Sequence, residues 1–85
     1  MIEIRDYGDG HTIVVYTDDN DISARLSKRQ QLIRIQEYHQ DTTKGTRSVG
    51  KDFYFPKKQL RPICRDLGYK LSKTVTPSNF HQIQI

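Results

Sequence analysis

The sequence predicts an α+β fold, an antiparallel β-sheet of four to five strands with one helix near the C-terminus. Three stretches carry that expectation. Between Leu32 and His39, Ile33 and Ile35 alternate with Arg34, Gln36 and Tyr38, so one face is apolar and the other polar and basic. A period of two marks a half-buried strand. Residues Thr12–Tyr16 (TIVVY) are dense in β-branched side chains, which suit a pleated surface. From Lys57 onward the period changes: Leu60, Ile63, Cys64 and Leu67 recur at helical spacing, and Gly68 follows as a C-cap.

In chain order, Ile2 and Ile4 alternate with Glu3 and Arg5, and Gly8-Asp9-Gly10 forms a turn, so residues 2–17 read as a hairpin. Asp18-Asp19-Asn20-Asp21 is a break. A calcium loop would need a bidentate acid at position 29, which is Arg29, and a turn glycine that is missing, so a plain turn or helix cap fits better. Residues 22–31 admit two readings. Ile22 and Leu26 sit four apart after good capping residues, which suits a helix, while Ile22, Ala24 and Leu26 alternate with Ser23, Arg25 and Ser27, which suits a strand. Asp41–Val49 reads as a long polar loop or ragged strand end carrying Lys44 and Arg47. Phe53 and Phe55 then point inward with Tyr54 outward. Pro62 either kinks the following helix or starts its main part. The closing FHQIQI is an edge strand or a loose tail.

At 85 residues the chain is one small domain: an acidic hairpin (1–21), a sheet–helix core (22–67) and a polar tail or edge strand (68–85). Only 34% of residues are hydrophobic and Trp is absent, a composition that often gains stability by oligomerising. Charge is strongly divided. Residues 1–21 carry six acids against Arg5, and residues 22–85 carry thirteen bases against four acids, for nets of −5 and +9. A basic body suits a polyanion partner. The single cysteine, Cys64, excludes an internal disulfide and a thiolate metal cluster within one chain, and its neighbours Ile63 and Leu67 mark it as a core residue. No apolar run reaches membrane-spanning length and the N-terminus lacks the regions of a signal peptide, so a reducing, cytoplasmic setting without membrane contact is expected.

The runs LIRIQEYHQD and GKDFYFPKKQL together resemble the positive cofactor four family, transcriptional coactivator domains that bind single-stranded DNA and have bacterial and phage relatives. Leu32, Ile33, Ile35, Glu37, Tyr38 and Asp41 match its alternating strand. Lys51, Phe53, Phe55 and Gln59 keep the spacing of its next strand and helix, and Ile22–Gln31 is compatible with its preceding strand and turn. The likeness covers roughly residues 22–67. The chain departs from the pattern at Gln36, where the family has arginine, at His39 in place of an aromatic, at Asp52 in place of glycine, and at Pro62. The resemblance implies a curved antiparallel sheet backed by the C-terminal helix, with two copies dimerising through their helices. Ile33, Ile35, Phe53 and Phe55 would pack on Leu60, Ile63 and Leu67.

An unpaired strand needs cations for its phosphates and flat side chains for its bases. Arg25, Lys28, Arg29, Arg34, Arg47 and Lys51 are the candidate cations; Tyr38, His39 and Tyr54 are the candidate platforms, with Gln36 between them. The expected function is sequence-tolerant binding of single-stranded DNA, or RNA, by a homodimer acting in replication, recombination or transcription. Two alternatives stand beside it: a phage-type inhibitor working through the acidic hairpin, and a duplex-binding regulator should residues 22–31 be helical. No enzyme is expected. His11, His39 and His81 are scattered, no nucleophile has a supporting context, and no phosphate loop occurs, so neither cofactor, metal nor small-molecule substrate is assigned.

Overall fold

Alternation of Ile2 and Ile4 with Glu3 and Arg5 forms β1 (Ile2–Asp6), and the β-branched run forms β2 (Thr12–Thr17). They pair antiparallel, with Ile4 opposite Val15 and Arg5 opposite Val14. Gly8 and Gly10 take φ values of 94° and 82° in the turn, a region that side chains with a Cβ rarely enter. Asp9 holds the same turn by accepting from the backbone N–H of His11 and Thr12 at 2.9 and 2.8 Å. This is a computed structural model; it describes residues 1–43 and 45–85, and of residues 42 and 46–48 the backbone alone.

The ambiguous segment is helical. Asp19 caps α1 (Asn20–Ser27) by accepting from the N–H groups of Asp21 and Ile22 at 2.8 and 3.0 Å. Leu26 is fully buried one turn after the half-buried Ile22. The cap settles the competition, because it satisfies donors that a strand beginning at Ile22 would present elsewhere. The strand that the resemblance implies over 22–31 is therefore corrected to a helix and turn.

β3 (Arg34–Thr42) and β4 (Gly45–Pro56) form a second hairpin, longer than the sequence suggests. Of the two readings of Asp41–Val49, a polar loop or a ragged strand end, the structure favours the strand: most of the segment is paired. A register shift between Tyr38 and His39 carries the ladder onward into polar residues, since backbone pairing needs no apolar side chain. A short 3₁₀ turn (Lys57–Gln59) leads into α2 (Leu60–Asp66). Pro62 lies in the first turn of α2, where its missing N–H has no intrahelical partner to lose. A lead-in turn thus precedes the helix as one of the two readings expects, but it ends at Gln59, so the helix starts two residues before Pro62. The tail returns as β5 (Gln82–Gln84) beside β1.

The sheet order is β3-β4-β2-β1-β5, with every neighbouring pair antiparallel. The protein is thus α+β, with a five-stranded antiparallel sheet and two short helices. The buried cluster lies on one face: Ile4, Ile13, Val15, Phe53 and Phe55 from the sheet, Leu26 from α1, Leu60, Ile63 and Cys64 from α2, and Phe80 and Ile83 from the tail. Burial pushes the Cys64 thiol pKa up, as suits a core residue. Ile33 and Ile35 do not join this cluster, contrary to the expected packing on Leu60, Ile63 and Leu67; they remain 56% and 43% exposed. The reason is position: β3 is the outermost strand, and the covered core ends at Phe53, the residue paired with Ile35. Among the described residues no helix is long and apolar enough to cross a membrane.

Candidate nucleic-acid interface

The register aligns two rows of side chains across all five strands on the sheet face opposite the core. One row runs Gln82, Arg5, Val14, Tyr54, Arg34; the next runs Gln84, Glu3, Tyr16, Asp52, Gln36. Tyr38 opens a third, opposite Gly50. Both helices and the residues after α2 contribute to the other face, so among the described residues no helix covers these rows.

Aromatic rings and guanidinium groups are interleaved here. The Arg34 guanidinium carbon lies 4.0 Å from the Tyr54 ring centroid, a cation–π arrangement. The ring of Tyr7 meets Tyr54 edge-on at 5.4 Å between centroids. Tyr54 is thereby almost enclosed, while Tyr7 is 51% exposed. Tyr16 and Tyr38 form a second pair at 6.4 Å, tilted by 54°. Gly50 permits this pair: a Cβ there would sit 2.4–2.7 Å from the Tyr16 ring and hydroxyl, so the ring lies across bare backbone.

Asp52 ties the rows together. It is fully buried, and its Oδ2 accepts from Arg5 Nη2 at 3.0 Å and from the Tyr38 hydroxyl at 2.5 Å. Donating to this carboxylate raises the Tyr38 pKa above the ordinary tyrosine value. The Tyr54 hydroxyl reaches Gln36 Oε1 at 3.5 Å. The Asp52 that departs from the family pattern thus anchors Tyr38 and Arg5 in the plane of the face.

The sequence-derived site residues divide into three groups. Arg34, Gln36, Tyr38 and Tyr54 converge on the open face. Lys51 and His39 lie on the other side of the sheet and both pair with Glu37, at 3.3 and 3.0 Å. Arg25 and Arg29 sit with the helices, where both hold Asp66 at 3.2 Å and Arg25 also bonds its backbone oxygen. Lys28 is the exposed C-cap of α1. The side chain of Arg47, like Lys44, lies outside the described residues. Sequence reasoning missed Arg5, Tyr7 and Tyr16, which complete the face. Their signal was the outward parity of β1 and β2, the same parity that marked Arg34 and Tyr54.

Comparison with known proteins finds no matching family model, no matching curated protein and no matching solved structure.

Proposed function

We propose that the open sheet face binds single-stranded nucleic acid without reading its sequence. One observation carries the reading: four tyrosines, Tyr7, Tyr16, Tyr38 and Tyr54, share one uncovered sheet face with Arg34 stacked on the last of them. Bases stack on exposed rings and on the outer plane of the Arg34 guanidinium, each contact contributing about 1–3 kcal/mol. Arg34 supplies the cation, Arg5 being paired with Asp52, and Gln36, Gln82 and Gln84 supply hydrogen-bonding side chains along the same rows. The role is to hold unpaired strands, with no chemical step.

The helical assignment of residues 20–27 invites the duplex-reading alternative, but Arg25 and Arg29 of that region are engaged with Asp66. That leaves Lys28, the C-cap, as the one base of the region without an ion pair among the described residues, short of the several free bases a recognition helix uses. Two copies would pair most readily through the β3 edge, where Ile35 and, just before the strand, Ile33 are exposed. Leu60, Ile63 and Cys64 of α2 are already spent in the core, and its remaining residues are Arg61, Pro62, Arg65 and Asp66.

The test is fluorescence anisotropy with a labelled single-stranded oligonucleotide across a salt series. Salt-sensitive binding is expected, weakened about tenfold or more by Arg34→Ala with Tyr38→Ala, given the stacking energies above. Absence of binding at low salt would refute the reading.

A further inference from the structure

A second basic surface lies away from the tyrosine rows. Residues 57–73 carry six bases and one acid, Asp66, and Asp66 is already held by Arg25 and Arg29. After α2 the chain turns at Gly68 and comes back alongside the helix, with the Tyr69 N–H donating to the Cys64 carbonyl at 2.8 Å. Arg61 pins the loop that follows by donating to the carbonyls of Ser72, Lys73 and Val75 at 3.0, 3.3 and 2.7 Å. Between helix and loop lies a cleft of about 400 Å³ lined by Arg61, Arg65, Gly68, Tyr69, Lys70 and Leu71. Its floor is fixed, because Tyr69 and Leu71 pack against the core. Its rim is cationic, because Arg65 and Lys70 are exposed and make no ion pair among the described residues.

We infer that this cleft binds the phosphate backbone of duplex nucleic acid, at a site separate from the tyrosine face. Arg61 bonds only neutral carbonyls, so its charge is uncompensated where Arg65 and Lys70 add theirs. Such a cluster attracts polyanions by releasing their condensed counterions, and a duplex offers about one charge per 1.7 Å of axis. The only ring in the cleft, Tyr69, is half-buried against the core and leaves no platform for an unstacked base. The cleft thus suits phosphates rather than bases, and a stacked duplex rather than a splayed strand. With both sites filled, one chain would hold an unpaired strand on the sheet and a duplex segment against α2.

The experiment measures anisotropy of a labelled duplex, and separately of a single strand, over a salt series. It compares the full chain with Arg65→Glu/Lys70→Glu and with Arg34→Ala/Tyr38→Ala. Both pairs are exposed, and thermal melts followed by circular dichroism check that each variant folds; Arg65→Gln/Lys70→Gln serves should the reversal not fold. The cleft variant is expected to bind duplex about tenfold or more weakly at low salt, with the slope of log K against log salt shallower by about two. Its single-strand binding stays unchanged, and the sheet variant keeps duplex binding. The inference is overturned by a wild-type chain that binds no duplex, or by a cleft variant that binds it with unchanged affinity and slope. Loss of both ligands in the sheet variant also overturns it, by showing one shared site. Single-strand binding that survives in the sheet variant would instead sink the tyrosine-face reading and leave the cleft standing.

Discussion

Asp52 decides the geometry of the tyrosine face. A buried carboxylate is costly unless its oxygens are paired; here Arg5 and Tyr38 converge on Oδ2 from strands on either side, while the buried Oδ1 has no hydrogen-bond partner among the described residues. Replacing it by Asn removes charge assistance from both bonds and is expected to lower stability by about 2 kcal/mol, read from denaturant unfolding. Alkaline titration gives a second readout. The folded chain holds the Tyr38 proton more tightly than the unfolded chain. Its contribution to stability is therefore complete below the usual tyrosine pKa of about 10 and declines as pH rises through the raised folded value. Tyrosinate absorbance should show a late-titrating group that Asp52→Asn moves earlier. Gly50 makes a complementary case. Gly50→Ala places a methyl group against the outer end of the half-buried Tyr16 ring, which must turn away and give up its hydroxyl bond to the Val49 carbonyl at 3.4 Å. The fold should survive with a small change in melting temperature, while displacement of Tyr16 from Tyr38 weakens single-strand binding several-fold, as an anisotropy titration would show.

At the scale of elements, the β1–β2 turn is built on carboxylates. Asp6 accepts from the Gly8 N–H at 3.0 Å and pairs with Lys57 at 3.2 Å, and Asp9 accepts from His11 and Thr12. These bonds hold both pKa values below the ordinary carboxylate range, chiefly through the backbone N–H of Gly8 for Asp6 and of His11 for Asp9. Their stabilising effect is present above about pH 4 and is lost as pH falls through the lowered folded values. Asp9→Ala should therefore melt lower than wild type at neutral pH and show a shallower decline on acidification, measured by thermal melts across that range. The turn was legible because glycine and aspartate leave little choice of backbone there. Elsewhere local signals competed. At residues 22–31 both periodicities were present, and only the Asp19 cap separated them. The β3–β4 hairpin was read short because its outer part has no apolar face to announce it, although its backbone pairs out to Thr42 and Gly45. Pro62 looked disruptive because its place relative to the helix start depended on where α2 begins.

For the whole molecule, half of the open face was visible in the sequence: the period of two placed Arg34, Gln36, Tyr38 and Tyr54 together. The other half was hidden by charge, since the acidic count of residues 1–21 set that hairpin apart, whereas β2 lies at the middle of the sheet. Which bases were free was equally hidden, because Asp66 takes up Arg25 and Arg29 only in three dimensions. The same topology leaves β3 as an outer strand of nine residues, with exposed Ile35 in it and exposed Ile33 just before it, an edge of the kind that invites pairing with another chain. Ile35 shares its sheet face with Phe53, so its neighbours Arg34 and Gln36 project toward the tyrosine rows. Antiparallel pairing of two β3 edges would bury the isoleucines on the helical side and join two tyrosine faces into one longer platform. Sedimentation is expected to give about twice the 10.0 kDa chain mass, and Ile33→Lys with Ile35→Lys should return it to a single chain. That variant leaves Arg34, Tyr38 and Tyr54 untouched, so each chain should still bind a short strand while the length of strand occupied per particle falls by about half. A wild-type chain that sediments at the single mass would confine the platform to one sheet.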